Sequence, residues 1–419
     1  MNDLTPSFER ETGQVILEGL SAGVAGEAPL IPVPGLDLAF DRADGRLCRV
    51  VVDTTETDGC ISAGEQAAML IQLFGAHAPS AISDPAGAPA LSPQPRLAGT
   101  LSSLARLDAA RVTSPVPPGS PWWAAEAAEL AERAGLPARA RAEAYCALAK
   151  LSGRLGSIDT EPAARAALAV VGIIAADEPE AAARLRAAVG ERSGPRPVAL
   201  LPTPGFDVAA EVESLEKDRA GLQWMLDPDL VPVGLFRPGL SPYSDLTIRH
   251  QTAKGRVVVE ATLVPGADCG ALNRCLARLV DPTVRRVLAQ APFTKATKTA
   301  ADSVRAELKL PFPLDELPES WIEVVQNKQW PVRSARGHRI RRALRWADAA
   351  LRAERAPAGL APHSAHEDWT ALAATAWDRC RRDWEAAGDT DRAGQAARRS
   401  AVPQPPASGP AYLAEVLGR

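Results

Sequence analysis

Gly19-Leu20-Ser21-Ala22-Gly23 sets a serine at the centre of a G-x-S-x-G pentapeptide, just after a stretch with strand alternation. In a nucleophile elbow that serine occupies a sharp turn from strand into helix, and earlier strands help build the oxyanion hole. Here Pro29, Pro32 and Pro34 follow closely and one strand precedes, so a glycine-rich loop accounts for the match better. Ser214 and Lys217 repeat the S-x-x-K spacing of penicillin-binding enzymes. They fall in a charged helical stretch, and Lys298-Thr299-Ala300 is only part of the K-T-G companion, so a solvated helix face is the better reading. His363, His366, Glu367 and Cys380 are ligand types, but zinc needs four converging donors, or three and a water. Asp53, Glu56 and Asp58 are dense in charge yet lack the ordered loop of a calcium site and read as a solvated turn. No Walker loop, G-x-G-x-x-G or H-E-x-x-H occurs. The expectation is no catalytic centre, no cofactor and no metal.

Two features remain as candidate partner-binding residues. Arg333, Arg336, Arg339, Arg341, Arg342 and Arg345 cluster with His338, just after Lys328. On a helix, Arg341, Arg345 and Arg352 share one side, and Arg339, Arg342 and Trp346 another. Such a face suits an acidic partner or phosphates. Asp348, Glu354, Asp378, Asp383 and Glu385 are near enough in sequence to neutralise it internally instead. The second feature is the chain end. Tyr412, Leu413, Val416 and Leu417 form one apolar face of a short helix after a tether, Val402–Pro410, that holds four prolines and a glycine. Nine residues cannot sustain a helix alone in water, so this segment must dock on its own chain or on a partner.

The elements that must position these residues follow from periodicity. Val304, Ala306, Leu308 and Leu310 alternate with Arg305, Glu307 and Lys309, and Val257, Val259, Ala261 and Leu263 line one face of another segment. A period of two marks half-buried antiparallel strands. Seven such segments across 229–327 predict a β-sandwich that resembles the immunoglobulin and transthyretin architectures, without the Cys–Trp–Cys hallmark of antibody domains. Residues 1–76 predict a small antiparallel unit with a hairpin at Asp44-Gly45 and one helix opened by Ser62 and Glu65. Residues 77–99, rich in Pro, Ala and Ser, predict a linker. Residues 100–193 predict a helical bundle, with Ala142, Tyr145 and Leu148 on one face and Ala164, Leu168 and Val171 on another. A Pro-rich hinge and short helix fill 194–228. A C-terminal helical domain spans 328–400, carrying Ile340, Leu344, Ala347 and Leu351 on one helix and Trp369, Trp377 and Trp384 on the next. The tether and terminal helix close the chain over 401–419. The predicted class is α+β, multidomain.

Length and composition agree with several globular cores: 419 residues, 46% hydrophobic and 23% charged. A formal net charge of −4 argues against nucleic-acid or anionic-membrane binding by the chain as a whole. Seven of the 47 basic residues are Lys and the rest Arg, which we read first as the mark of a GC-rich bacterial genome. Met1–Arg10 is polar and acidic, unlike an export signal. The six cysteines are scattered without a C-x-x-C, the pattern of reduced thiols, so a cytoplasmic location is expected. The leading functional expectation is a non-enzymatic scaffold, adaptor or regulatory subunit with a protein partner. The alternatives are a nucleic-acid-associated regulator using the Arg333–Arg352 helix, and an enzyme with a dispersed Asp/Glu/Arg site.

Overall fold

The computed structural model describes residues 3–9, 14–19, 23–28, 30–52, 63–113, 118–152, 158, 161–190, 226, 230–232, 235–236, 246–251, 255–264, 267, 269–295, 303–310, 320–326, 328–355, 364–401 and 412–414. They are mixed α and β, with 11 helices and three antiparallel sheets among them. The chain divides into two compact units. One comprises Met1–Arg111, Ser120–Ala199 and Tyr412–Arg419, the other Val112–Gly119 and Leu200–Ala411.

In the first unit β1 (Thr5–Glu9), β2 (Gln14–Glu18), β3 (Ile31–Val33), β4 (Leu36–Phe40) and β5 (Leu47–Val52) form one sheet in the order β1-β2-β5-β4-β3. The expected hairpin joins β4 to β5. Its turn is organised by Asp41, which is 1% exposed and accepts the backbone N–H groups of Gly23 at 2.5 Å, Ala43 at 2.7 Å and Asp44 at 3.0 Å. Gly45 has φ +71°, and a Cβ there would strike the Ser102 hydroxyl, so the turn needs glycine twice over. After β2 the chain turns at Val24–Ala25 and enters β3. Residues 23–28, where the elbow of G-x-S-x-G would need a helix, turn toward β3, and Ser21 lies outside the described residues.

Seven helices follow in this unit: α1 (Ala63–Phe74), α2 (Ala78–Ser83), α3 (Pro95–Thr113), α4 (Pro121–Arg133), α5 (Pro137–Leu151), α6 (Glu161–Ile174) and α7 (Pro179–Gly190). Four of them begin on proline, whose missing N–H would be unpaired at that position anyway. The expected linker 77–99 carries α2 and a bridge in which Leu4 and Leu91 exchange backbone hydrogen bonds at 2.9 and 2.7 Å. The bundle packs on alanine. The α5 core face is Ala140, Ala144, Ala147 and Leu151, and that of α6 includes Ala163, Ala166 and Ala167. Tyr145 and Leu168, expected inward, are 37% and 45% exposed. Small side chains let helix axes approach closely, and the larger apolar residues are left at the rim. Arg111–Glu143 at 3.1 Å and Arg139–Asp108 at 2.6 Å tie α3 to α5.

In the second unit β6 (Leu246–Gln251), β7 (Arg256–Thr262), β8 (Leu276–Asp281), β9 (Arg286–Pro292), β10 (Thr294–Lys295), β11 (Ser303–Lys309) and β12 (Trp321–Val325) form two sheets, β10-β11-β7-β6 and β12-β8-β9. A short helix, α8 (Cys269–Leu272), precedes β8. Leu308 pairs with Val257, Ala306 with Val259 and Val304 with Ala261, and all six are buried. Arg305 and Lys309 face outward, as period two requires. Both sheets feed one hydrophobic cluster, with Leu279, Ile322 and Val324 from the second. The chain crosses from β9 to β10 at Phe293, which is 4% exposed and packs against Phe236 at 5.4 Å. Before β6, the described residues hold one isolated bridge, Phe236 to Leu263.

Three helices complete this unit: α9 (Ala335–Arg355), α10 (Ser364–Ala386) and α11 (Thr390–Ala401). The α10–α11 connection is set by local chemistry. Gly388 adopts φ +80°, Asp389 N–H donates to Trp384 O at 2.9 Å, and the Asp389 side chain accepts from Arg392 N–H at 3.0 Å to cap α11. Between Ala343 and Glu354 α9 is buried almost all round, where one apolar stripe was expected, and Ile340 and Leu344 are only half-buried. Trp377 and Trp384 are fully buried and Trp369 half-buried. The S-x-x-K pair, the Asp53–Asp58 turn, the 206–221 helix, His363 and the tether lie outside the described residues, as do the side chains of His366 and Glu367.

Candidate functional site

The arginine cluster sits on the first half of α9, and the structure gives most of its guanidinium groups partners nearby. Arg342 makes a two-pronged pair with Asp383 of α10, its Nε at 2.6 Å, and its guanidinium lies 5.0 Å from the Trp321 ring. Arg339 Nη1 donates to Ala386 O at 2.9 Å, and Arg336 Nε to Ala387 O at 3.0 Å. Those carbonyls end α10, where the helix dipole is negative and orphan acceptors need donors. Arg345 and Arg352 are 6% and 7% exposed, and Arg341 is half-buried. Two further guanidinium–indole stacks recur in this three-helix group, Arg392 on Trp384 at 4.7 Å and Arg399 on Trp377 at 5.0 Å. Trp377 Nε1–H also donates to Glu354 Oε1 at 2.5 Å. Arginine suits these positions because its flat, weakly hydrated fork both stacks and pairs. Burial pushes the carboxyls of Glu354 and Asp383 up against the pull of their partners.

Beneath the start of α9 lies a buried charged junction. Arg278 on β8 and Glu323 on β12 stand directly opposite in the ladder. Their side chains are 1% and 2% exposed and meet at 2.6 Å. Arg278 also donates to Trp330 O at 2.7 Å and Pro331 O at 3.2 Å. The second Glu323 oxygen lies 2.9 Å from His338 Nε2, and the His338 ring packs on Trp321 at 4.6 Å. Burial pushes the Glu323 carboxyl up, but the adjoining His338 imidazole and the charge of Arg278 prevail and hold it below its ordinary value. Alternation alone puts Arg278 and Glu323 on the face away from the core. That face is covered here by the 330–342 segment, and no local pattern announces it. The cross-strand register was the one signal that could have paired them.

The second candidate region is the chain end. Tyr412 packs its ring on Trp123 of α4 at 5.7 Å, Leu413 N–H donates to Glu126 Oε2 at 2.7 Å, and Ala414 is fully buried. Leu413 and Ala414 begin a helical turn, so the Leu413 amide is one of the donors that a helix start leaves unpaired. A carboxylate from another helix, 287 positions away, satisfies it and complements the dipole. Val416 and Leu417 lie outside the described residues. Trp123 and Glu126 had escaped sequence reasoning, because a contact over that separation leaves no local trace.

Three of the four described cysteine thiols are buried. Burial pushes Cys48 up to about 12 and Cys275 to about 11, and raises Cys380 as well. No group of metal-ligating side chains gathers among the described residues. Nor is any helix among them long and apolar enough to cross a membrane.

No family model, curated protein or solved structure matches the chain.

Proposed function

We propose that the chain is a non-enzymatic interaction protein, a scaffold, adaptor or regulatory subunit of a bacterial multi-protein system in the cytoplasm. The observation that carries the proposal is the α4 site, where an aromatic anchor and a carboxylate cap hold a short apolar segment delivered from far along the sequence. This is the helix-in-groove mode of peptide recognition in outline: a ring to bury and a backbone donor to satisfy. In this reading the arginines of α9 chiefly bind the C-terminal helices to each other. An acidic partner remains the proposed match for their outer rim. The two-sheet body of the second unit is proposed to be an immunoglobulin- or transthyretin-like sandwich, supported by its antiparallel sheets over one shared core.

The test is isolation of the N-terminally tagged chain from its source cells at natural abundance, with mild crosslinking and sizing. A co-purifying protein at fixed stoichiometry is expected. Recovery of the chain alone, at the mass of one copy, would refute the reading.

A further inference from the structure

We infer that the tip of the β8–β9 hairpin, residues 283–286, is a docking prong for a partner protein that presents an apolar recess rimmed by carboxylates. The inference rests on reading the chain as an interaction protein, and it names a further surface and the chemistry met there.

The described residues contain the same turn twice, once as Asp-Arg-Ala-Asp-Gly-Arg and once as Asp-Pro-Thr-Val-Arg-Arg. In the β4–β5 turn Asp41 Oδ1 accepts from Ala43 and Asp44, Gly45 takes φ +71°, and Arg46 closes the turn on Asp41. In the β8–β9 turn Asp281 Oδ1 accepts from Thr283 N–H at 2.9 Å and Val284 N–H at 3.2 Å, Arg285 takes φ +52°, and Arg286 pairs with Asp281. The left-handed place is thus filled by glycine in one turn and by arginine in the other. Glycine adopts such a φ freely, whereas a Cβ there is strained. Arg285 is the only residue other than glycine with a positive φ among those described. Codon bias does not select it, because the same bias makes glycine abundant, with 31 in this chain. Strain kept where glycine would relieve it points to a use for the side chain.

The tip's chemistry says what that use is. Residues 283–286 are all exposed, and Val284, at 63%, is the most exposed large apolar residue among those described. Pro282 is buried beneath them, and the two hydrogen bonds to Asp281 hold the turn in one shape, so docking has little disorder to remove. No ion pair or hydrogen bond engages the guanidinium of Arg285 or Arg286 among the described residues. In α9, by contrast, Arg342 is held by Asp383, and Arg336 and Arg339 by the last carbonyls of α10. Two uncommitted cations beside an exposed valine match a surface that is apolar at its floor and acidic at its rim. Nucleic-acid phosphates would match the arginines but give the valine nothing apolar to cover, so a protein is the better fit.

The probe is the photo-crosslinking residue benzoylphenylalanine, placed at position 283 of the full-length chain in its source cells, with exposed position 168 as the control. A discrete protein adduct from 283 and none from 168 is expected, attached to the partner beside Asp or Glu. That partner, purified, should bind the wild-type chain with an affinity that falls as salt rises. The double variant Arg285→Glu, Arg286→Glu, checked for folding by circular dichroism, should bind it at least about tenfold more weakly. Arg285→Gly should act with two opposite signs: the folding equilibrium constant rises roughly fivefold as the strain is relieved, while binding weakens. No adduct at 283, an adduct destroyed by nuclease, binding indifferent to the charge reversal, or an Arg285→Gly chain no more stable than wild type would each overturn the inference. A protein that co-purifies undiminished with the charge-reversed chain would remove the prong and leave the interaction reading standing. A wild-type chain that co-purifies with nothing would remove that reading itself.

Discussion

Glu323→Gln is the most informative single change in the second unit. It keeps the side chain's size and removes the charge that Arg278 and His338 share. Both ion-pair side chains are essentially out of water, so no solvent screening softens the loss. Breaking a buried pair by deleting one partner costs about 3–5 kcal/mol, because the survivor stays buried without its counter-charge. With a urea slope of roughly 2–3 kcal/mol/M, a loss of about 4 kcal/mol lowers the unfolding midpoint by roughly 1.3–2 M. Urea titration followed by tryptophan fluorescence reads this, with Trp321 lying against His338 as a local reporter. The double variant Arg278→Met, Glu323→Leu should recover most of the loss, since it removes both desolvation costs together. The pH dependence has a fixed sign. Glu323 is held below the unfolded carboxylate value of about 4.3, so its contribution is complete above that value and is lost as pH falls through the lower, folded one. Wild-type stability should therefore drop more steeply than that of Glu323→Gln below about pH 4. A cost under about 1 kcal/mol with an unchanged acid slope would refute the junction as a stabilising element.

Trp377→Ala should cost about 3–5 kcal/mol in the same titration, since the ring is fully buried, stacked by Arg399 and hydrogen-bonded to Glu354. Arg342→Glu should destabilise the second unit, by about 2–4 kcal/mol, through the lost Asp383 pair and Trp321 stack and the new like charge beside Asp383. Charge reversal of Arg341, Arg342 and Arg345 together should destabilise the fold, where the sequence led us to expect an intact fold and a weakened partnership; a neutral thermal melt would restore that expectation. Native protein treated with maleimide at neutral pH should leave Cys48, Cys275 and Cys380 unlabelled, because burial both hides the thiols and suppresses thiolate formation. Mass spectrometry showing rapid modification at these three would contradict their burial.

Local alternation made the strands of the second unit legible, down to the inward set Val257, Val259, Val304, Ala306 and Leu308. A period of two is imposed by backbone geometry and needs no knowledge of the partner strand. Tyr145 and Leu168 misled for the opposite reason. Helical spacing marks possible faces, and which face is buried depends on how closely the neighbouring helices approach; here Ala144, Ala147, Ala166 and Ala167 permit a close approach. Arg278 and Glu323 went unremarked because alternation says which side a residue takes and not what covers that side. The need of the chain end for a docking surface was legible from its length and apolar spacing. Its dock, Trp123 and Glu126, was not, because nothing local ties residues 287 positions apart.

Hydrogen exchange at the Leu413 amide of the full-length protein tests the peptide site most directly. A protected amide is expected, because Glu126 accepts it at 2.7 Å beside a fully buried Ala414, with that protection lost in Glu126→Lys. Exchange at the rate of an unstructured peptide in the wild-type protein would contradict it.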